Sequence, residues 1–204
     1  MSGRGGVAQP RRLRVQRLLL ATRNEHKRRE FARLLPGVQV DALPDDIALP
    51  PEDGETFADN ALGKARAAAA ASGRVSIADD SGIEARALGG RPGVRSARYA
   101  GEGANDLQNL EKLLREAPAG SSLAYVCALA YVDPEQAQER VFEGRWTGRL
   151  AAQPRGERGF GYDPAFLPDE HPDTTAAELS DARKDELSHR GRAVRALREW
   201  LTAG

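Results

Sequence analysis

The stretch LLLATRNEHK at residues 18–27 places an apolar run directly before a polar turn. The apolar pattern over residues 15–21 has the length of a buried strand. The turn opens a helix in which Phe31 and Leu34 share one face, and Pro36-Gly37 ends that helix. A strand that runs through a short turn into a helix is the unit from which α/β proteins are built.

Strand and helix patterns alternate along the rest of the chain, with no internal repeat. The apolar run at residues 123–132 is long enough for a central strand that is covered on both faces. The other predicted strands are residues 38–43, residues 75–78 and a strand or hairpin over 140–150; the predicted helices are residues 56–72, 107–114 and 181–201; and the predicted loops are residues 44–55 and 153–172. We therefore predict an α/β fold with a mixed sheet.

Length and composition limit the classes of protein. The chain has 204 residues and a formal charge of zero, and no stretch approaches the roughly 18 uncharged apolar residues of a membrane helix. The single cysteine, Cys127, excludes an internal disulfide framework, and three histidines leave no His/Cys zinc cluster. We expect one soluble, cytoplasmic domain over residues 15–204, with no membrane or nucleic-acid partner.

Residues 1–17 differ in composition from the rest, because they carry five arginines and no acidic residue. We expect residues 1–14 to form a disordered basic tail. Two alternatives remain for this segment: an arm that binds nucleic acid, or a mitochondrial presequence. Five charges without an aromatic residue make a weak nucleic-acid site, and the arginines follow no clear amphipathic helix.

The basic residues comprise 26 arginines and only four lysines, Lys27, Lys64, Lys112 and Lys184. In a chain with this bias, lysine is the less frequent choice for a positive charge. A compact ammonium meets an anion differently from a guanidinium fork. Each lysine is therefore a candidate for a position that requires the smaller group.

The polar turn at residues 22–27 is the first candidate binding site. A turn that leaves a strand and opens a helix presents free backbone N–H groups and the positive end of the helix dipole, which favours an anion. Thr22 and Asn24 add side-chain donors, and Lys27 adds a charge one turn later. Thr and Asn are also ordinary helix caps, so a purely structural turn is the alternative.

Two adjacent carboxylates, Asp79 and Asp80, follow the predicted strand 75–78 and precede Ser81-Gly82. In an extended chain adjacent side chains point to opposite sides, so one carboxylate would reach a divalent metal while the other braces the loop. Mg²⁺ prefers such oxygen ligands and keeps several waters for phosphate chemistry. The alternative is an acidic turn at the end of a strand.

The alanine-rich helix predicted over residues 56–72 carries Asn60 and Lys64 four residues apart, and therefore on one face. Glu52 precedes this helix in a loop, from which its carboxylate would reach a metal near the helix N-terminus. The alternative is a solvated lysine on a surface helix.

Two further segments are candidates for binding a ring. In GFGYDP two glycines bracket Phe160, so the backbone can approach a ligand closely and the aromatic ring can serve as a stacking platform. Further on, a continuous helix would place Lys184 and Ser188 on one face, with His189 and Arg190 adjoining. A plain Gly/Pro turn and a polar helix surface are the respective alternatives.

Taken in chain order, these motifs resemble the inosine triphosphate pyrophosphatases, a family that acts on noncanonical purine nucleoside triphosphates such as ITP and XTP. The resemblance covers residues 15–202. It runs through LLLATRNEHK, GETFADNALGKA, ADDSG, LGGRPGVRSARYAG, FEG, GFGYDP and TAAEL, and ends with a lysine and SHRG. A chance similarity would not reproduce so many motifs in the family's order.

The resemblance implies an elongated mixed sheet flanked by helices, with two lobes and the active site in the cleft between them. It also implies a homodimer. The implied reaction is Mg²⁺-dependent hydrolysis between the α- and β-phosphates, which releases a nucleoside monophosphate and pyrophosphate. Such an enzyme would clear deaminated purines (ITP, dITP and XTP) from the nucleotide pool.

The resemblance also assigns roles to individual residues. Asp80 would be the base that activates water and, with Glu52, a ligand of the metal, while Lys64 would assist catalysis beside the phosphates. The phosphates would be held by Thr22, Arg23, Asn24, Glu25, His26 and Lys27; Ser81 would contact the substrate; Phe160, Gly161, Tyr162 and Asp163 would form the base pocket; and Lys184, His189 and Arg190 would close over the base and phosphates. The sequence departs from the family at Arg23, where glycine is common, and at Asp59, where glutamate is common.

Base selection follows from hydrogen bonding at position 6 of the purine. Hypoxanthine and xanthine present an oxygen there and adenine an amino group, so a buried donor from His189, Arg190 or a backbone N–H would select the oxygen. Guanine shares that oxygen, and no residue is assigned to its rejection. Two alternative functions remain: a related pyrophosphatase that prefers other bases, such as modified pyrimidines, and a nucleotide sensor or nucleic-acid-binding protein without turnover.

Overall fold

A computed structural model describes residues 16–203, so the tail predicted over residues 1–14 lies outside the described residues. The strands are β1 (Arg17–Leu20), β2 (Gln39–Ala42), β3 (Ser76–Ala85), β4 (Ser122–Asp133), β5 (Gln138–Leu150) and β6 (Phe166–Pro168). The helices are α1 (Glu25–Leu34), α2 (Phe57–Ser72), α3 (Asp106–Glu116), α4 (Asp181–Leu187) and α5 (His189–Ala203). The alternation of strands and helices predicted from the hydrophobic pattern is confirmed.

The six strands form one mixed sheet in the order β2-β1-β3-β4-β5-β6. Strand β1 is parallel to both β2 and β3, because α1 and α2 carry the chain back before the next strand begins. The pairs β3–β4, β4–β5 and β5–β6 are antiparallel. The predicted mixed sheet is therefore confirmed, and the apolar run at residues 123–132 lies in its central strand β4.

Helices cover both faces of this sheet. On one face α1 and α5 contribute Phe31 and Leu197 to a buried cluster with β1, β3 and β4. On the other face the small side chains Ala65 and Ala68 allow α2 to lie close to the same strands. A third cluster surrounds Trp146 at the far ends of β3, β4 and β5, where α3 packs. No helix within residues 16–203 has both the length and the apolar character needed to cross a bilayer.

Strand β3 is longer than the sequence predicts. The prediction ended it at residue 78, but the extended backbone continues through Asp79-Asp80-Ser81-Gly82 to Ala85. Each of these residues pairs with β4, and cationic side chains approach both carboxylates. Because pairing and charge compensation remove the need for solvent, the acidic pair lies in the middle of the sheet. The interpretation as a strand end or an acidic turn is wrong.

The predicted C-terminal helix over residues 181–201 is interrupted. The backbone of Ser188 is extended (φ −66°, ψ 159°) between α4 and α5. The Ser188 N–H donates to the Lys184 carbonyl and ends α4, while the Ser188 hydroxyl accepts from the Gly191 N–H (3.1 Å). Serine is a favoured residue at a helix start, so the same residue begins α5. The predicted helix face shared by Lys184 and Ser188 is therefore wrong.

Two other segments refine the prediction. Residues 140–150 belong to a single strand, β5, and do not form a hairpin. The segment 153–172, predicted as a loop, contains β6 and a short 3₁₀ turn at Asp163–Ala165. Strand β6 adds to the edge of β5 at the pair Leu150 and Phe166, which a Gly- and Pro-rich sequence does not indicate.

A glycine on β5 allows α5 to approach the sheet closely. A Cβ atom on Gly144 would lie 1.9 Å from the His189 carbonyl oxygen and 2.8 Å from the Ala193 nitrogen. Any side chain at this position would displace the first turn of α5. That turn carries His189 and Arg190, so the glycine of the FEG motif positions two candidate site residues.

Candidate active site

A cavity of about 330 Å³ is bounded by the middle of β3, the β1–α1 turn and the segment 160–163. Its volume falls within the range of small-molecule sites, roughly 300–1,000 Å³. Most of the predicted site residues line it: Thr22, Arg23, Asn24, Lys27, Glu52, Lys64, Asp80, Ser81, Phe160, Gly161, Tyr162, Asp163, Lys184, His189 and Arg190. The structure thus brings all five candidate motifs to one cavity.

The turn after β1 uses its amide side chain to start α1. Asn24 is the N-cap, and its Oδ1 accepts from the N–H groups of His26 (2.9 Å) and Lys27 (3.1 Å). The sequence predicts free N–H groups in this turn, but these two are satisfied locally. Lys27 reaches inward, and its Nζ lies 3.1 Å from Asp79 Oδ1. The positive charge at this part of the cavity therefore comes mainly from the lysine side chain.

Two residues of the same turn do not line the cavity. Glu25 is exposed, and its carboxylate pairs with Arg28 on the outer side of α1 (2.5 Å). His26 stacks on Phe160, with ring centroids 5.1 Å apart and an interplanar angle of 23°. The structure therefore does not bring the Glu25 carboxylate to the cavity, and it packs the His26 ring against Phe160.

Arg23 and Asp59, the two residues that depart from the family pattern, both make hydrogen bonds in the structure. The Arg23 guanidinium donates to four backbone carbonyls within residues 43–47, which fastens the loop after β2. Asp59 Oδ2 accepts from the N–H of Thr56, and the Thr56 hydroxyl accepts from the Asp59 N–H (3.1 Å). This reciprocal pair is a capping box that starts α2.

Polar side chains from α2 and the preceding loop converge on Asp80. Asn60 Nδ2 donates to Asp80 Oδ2 (2.8 Å), and Lys64 Nζ lies 3.9 Å from Asp80 Oδ1. Lys64 also contacts the Glu52 carboxylate and donates to the Asp79 carbonyl (2.8 Å). Lys64 is 5% exposed, which excludes the alternative of a solvated surface lysine.

For each of Asp80 and Lys64, burial and nearby charges shift the pKa in opposite directions. Burial raises the pKa of the Asp80 carboxyl, although the Lys64 charge and the Asn60 hydrogen bond oppose the shift. Burial would lower the pKa of Lys64, but the carboxylates of Asp79, Asp80 and Glu52 outweigh it and raise that pKa. Lys64 therefore stays an ammonium, and Asp80 binds a proton more tightly than an exposed aspartate.

Asp79 lies on the opposite face of β3, within a buried network of charges. Its Oδ2 accepts from Arg190 Nη2 (2.8 Å). Glu30 of α1 contacts the same guanidinium and accepts from Lys184 Nζ (2.9 Å), and Lys184 donates in turn to Asp163 Oδ2 (2.7 Å). The prediction that the second carboxylate braces a loop is corrected, because Asp79 braces the first turn of helix α5.

The ionised Glu30 carboxylate stabilises the fold, so we expect the protein to lose stability in acid. Burial would raise its pKa, but the charges of Arg190 and Lys184 outweigh burial and lower the pKa of Glu30 from 4.5 to about 2. The stabilising contribution is complete above the unfolded pKa and is lost as the pH falls from about 5 to about 2. Over this range we expect the free energy of unfolding to fall on the order of 3 kcal/mol further in the wild type than in Glu30→Gln.

Urea unfolding at a series of pH values measures this difference between the wild type and Glu30→Gln. Glu30→Gln lacks only the Glu30 carboxylate, and all other carboxylates titrate in both proteins. The difference between the two curves therefore reports Glu30. Parallel curves of unfolding free energy against pH would contradict the role given to Glu30.

The turn around Phe160 forms another wall of the cavity. Asp163 Oδ2 accepts from the Phe160 N–H (2.9 Å), which closes the turn. Gly159 has a φ of +75°, and a Cβ atom there would lie 2.0 Å from Asp163 Oδ2, so only glycine fits. The Phe160 ring is half-buried, with Lys184 Nζ 5.1 Å from its centroid. A half-buried aromatic ring beside a cation suits a flat, electron-rich ring.

His189 is buried between α5 and β4. Its ring stacks on Tyr125, with centroids 4.6 Å apart and an interplanar angle of 5°. Burial and the Arg190 charge lower the pKa of His189 well below its usual value, so the imidazole is neutral. Burial also raises the pKa of Tyr125, whose protonated hydroxyl donates to Asp163 Oδ1 (3.2 Å). A neutral imidazole offers one donor and one acceptor to a ligand.

The carboxylates near Lys64 suit a divalent cation. Glu52 and Asp80 both face the Lys64 ammonium, so two oxygen donors already converge on one positive charge. Mg²⁺ is commonly held by one or two carboxylates together with substrate phosphates and waters. Among residues 16–203, no group of three or more His, Cys, Asp or Glu side chains is arranged to hold a metal. The donor set therefore fits Mg²⁺ that shares its ligands with a phosphate chain.

Three residues of the site carry no recognisable signal in the sequence. They are Glu30, Tyr125 and Asp106, whose Oδ2 accepts from the Gly161 N–H (2.8 Å). Glu30 stands among other charged residues of α1, and Tyr125 stands in an apolar run. Their partners lie 154, 38 and 55 residues away, so only the folded chain identifies them.

Fold and cavity together define an α/β protein whose site suits a polyanionic ligand with a flat ring. The cations Lys27 and Lys64, the carboxylate pair of Glu52 and Asp80, and the Phe160 platform all line one space. The chain belongs to the Ham1 family, whose model matches residues 18–200. This match confirms the resemblance indicated by the motifs.

Individual relatives are similar over almost the whole chain. The dITP/XTP pyrophosphatase of Mycolicibacterium paratuberculosis is 47% identical over 193 residues, which cover 88% of this chain and 93% of the relative. The structure of a HAM1 protein from Coxiella burnetii has a TM-score of 0.82 and 36% identity, and it covers 93% of this chain and all of that chain. The structure of the Staphylococcus aureus Ham1 protein has a TM-score of 0.80 and 37% identity, and it covers 92% of this chain and 98% of that chain.

Proposed function

We propose that this chain hydrolyses the noncanonical purine nucleoside triphosphates ITP, dITP and XTP to the nucleoside monophosphate and pyrophosphate. Its class is that of the nucleoside triphosphate pyrophosphatases, hydrolases that act on phosphoric anhydride bonds, in agreement with the name of its relatives. The activity would remove deaminated purines from the nucleotide pool before polymerases use them.

The observation that carries this proposal is the presence of two kinds of chemistry in one cavity. Lys64 with Asp80 and Glu52 provides a charged, proton-accepting group that suits a phosphate chain and its metal. Phe160 and the neutral, buried His189 provide an aromatic face and polar atoms that suit a base. A nucleoside triphosphate is a ligand that needs both.

Asp80 would act as the general base. Its carboxylate is oriented by Asn60 (2.8 Å), and burial raises its proton affinity, so it is suited to take a proton from water that attacks the anhydride. Lys64 would stabilise the negative charge that develops on the departing pyrophosphate. Because three carboxylates raise the pKa of Lys64, it carries the positive charge that this role requires.

Glu52 and Asp80 would hold Mg²⁺, which when bound polarises phosphoryl oxygens and lowers the pKa of coordinated water. Burial would raise the pKa of the Glu52 carboxyl, but the Lys64 charge outweighs burial and lowers that pKa, so Glu52 stays ionised and available as a ligand. Lys27 would contribute further charge to the phosphates from the β1–α1 turn.

Phe160 would stack on the purine, with Gly161, Tyr162 and Asp163 completing the base pocket. A donor from His189, Arg190 or a backbone N–H would pair with the oxygen at position 6 of hypoxanthine or xanthine. Facing an adenine amino group, the same donor stays unsatisfied, at a cost of about 1–3 kcal/mol or roughly 5- to 150-fold. Rejection of guanine at position 2 stays unassigned.

Several expectations remain predictions within this proposal. They are the arrangement of two lobes around a cleft, the homodimer, the cytoplasmic location, and the absence of nucleic-acid and membrane partners. Retention of full activity after deletion of residues 1–14 would rule out a nucleic-acid arm with a part in catalysis.

Pyrophosphate release from ITP, XTP, ATP, GTP and dUTP, measured with Mg²⁺ and with excess chelator, tests the function. We expect kcat/KM for ITP and XTP to exceed that for ATP at least about 10-fold, because one buried donor is left unsatisfied by adenine. We also expect activity to disappear with the chelator. Preference for dUTP would favour the pyrimidine alternative, and ITP binding without hydrolysis would favour the sensor.

A further inference from the structure

One carboxylate connects the Phe160 turn to a helix elsewhere in the fold. Asp106, the first residue of α3, accepts from the Gly161 N–H through its Oδ2 (2.8 Å). Asp106 lines the same cavity as Phe160. We propose that Asp106 is a positioning residue, which holds Gly161 and thereby orients the Phe160 ring for stacking on the base. This inference rests on the proposed function, because it assumes a nucleotide base in the cavity.

The turn needs such support because glycine stands on both sides of Phe160. Gly159 and Gly161 have φ values of +75° and +64°, and glycine has the widest choice of backbone conformations to lose on ordering. Asp163 accepts from the Phe160 N–H, and Asp106 accepts from the Gly161 N–H. The two carboxylates therefore fix the peptide groups before and after Phe160, and together they restrict its backbone orientation.

Helix α3 is a firm anchor for this contact. Its buried Asn109 accepts from the Ala100 N–H (2.8 Å) and donates to the Ala97 carbonyl (3.1 Å), and Leu113 is buried in the cluster around Trp146. The start of α3 is capped by Asn105, so capping of the helix does not depend on the Asp106 carboxylate. A substitution at Asp106 therefore removes the contact to Gly161 without removing the cap.

The variants Asp106→Asn and Asp106→Ala separate the hydrogen bond from the charge. Both remove a negative charge from the first turn of α3, where the helix dipole favours one. The asparagine carbonyl can accept from the Gly161 N–H in place of the carboxylate, whereas alanine offers no acceptor. The difference between the two variants therefore reports the hydrogen bond alone.

We expect Asp106→Ala to raise KM for ITP about 5-fold, the factor that corresponds to one hydrogen bond of about 1 kcal/mol. kcat should stay within about 2-fold of the wild type, because Asp106 touches none of the groups around Asp80. Asp106→Asn should restore KM to near the wild-type value. Inhibition by inorganic tripolyphosphate, which has no base, should be the same in all three proteins.

Two measurements do not depend on turnover. Hydrogen exchange at the Gly161 amide should be slow in the wild type and Asp106→Asn and fast in Asp106→Ala. Binding of inosine monophosphate, measured by calorimetry, should weaken in Asp106→Ala alone. Equal KM in all proteins, an asparagine variant that behaves like alanine, or an equal loss of tripolyphosphate affinity would overturn the inference. A wild type that binds inosine monophosphate but leaves ITP intact would instead overturn the proposed function.

Discussion

Asp80→Asn is expected to lower kcat for ITP by about 10²–10⁴-fold, the contribution typical of a positioned general base. The amide that replaces the carboxylate cannot accept a proton from water at neutral pH. In the wild type Asn60 Nδ2 donates to Asp80 Oδ2 (2.8 Å). The amide oxygen of the variant can still accept this hydrogen bond, so the local geometry is kept. Steady-state pyrophosphate release measures the loss, and calorimetry measures whether ITP still binds.

The same variant should remain folded. Burial raises the pKa of the Asp80 carboxyl, so its ionised form is disfavoured in the folded protein, and a neutral amide removes that penalty. The thermal unfolding midpoint should therefore not fall. Asp46→Asn, on the exposed loop after β2, is the matched control and should leave both kcat and stability unchanged. A kcat for Asp80→Asn within about 10-fold of the wild type would exclude Asp80 as the base.

Arg190→Met is expected to lower the free energy of unfolding by about 3–5 kcal/mol, the cost of leaving buried charges without their partner. Arg190 is 1% exposed and lies between the carboxylates of Asp79 and Glu30, which are themselves buried. Methionine fills a similar volume and favours a helix, so the loss reports charge compensation rather than packing. Urea unfolding at neutral pH gives the value directly.

Arg195→Met provides the comparison, because it makes the same change one helical turn and a half further along α5 at an exposed position. A change within about 0.5 kcal/mol is expected there. If Arg190→Met cost no more than Arg195→Met, the network of Asp79, Glu30 and Arg190 would have no part in holding α5 against the sheet.

Local patterns predicted most of the secondary structure. The start of α2 at Thr56-Phe57 and its end at Gly73 follow from a capping box and a left-handed glycine, both of which act within a few residues. Two predicted boundaries were wrong, because contacts with residues far away along the chain decide them. Strand β3 passes through Asp79 and Asp80 because β4 and distant cations stabilise them there, and the helix break at Ser188 accompanies the close approach of α5 to Gly144.

The candidate site shows the same division. Residue type and spacing made Asp80, Lys64 and Phe160 candidates, because an acidic pair after an apolar run, a helix face and a glycine-flanked ring are visible over short distances. Two residues that hold other groups of the site were not identified: Glu30, which pairs with Lys184 and Arg190, and Asp106, which accepts from the Gly161 N–H. Glu30 and Asp106 contact groups that lie far away along the chain, and no local pattern distinguishes them from acids that only face solvent.

The sequence by itself determined the order of the strands and helices except β6 and the break between α4 and α5, and it determined the mixed α/β class and the family, since hydrophobic period, caps and short motifs are properties of neighbouring residues. The tertiary structure decided which charges are buried together. The Asp79 carboxylate can lie in the middle of β3 because Arg190, 111 residues away, and Lys27 pair with it. Burial of charge depends on partners that meet after folding, so the buried network of charges can be identified only in the folded structure.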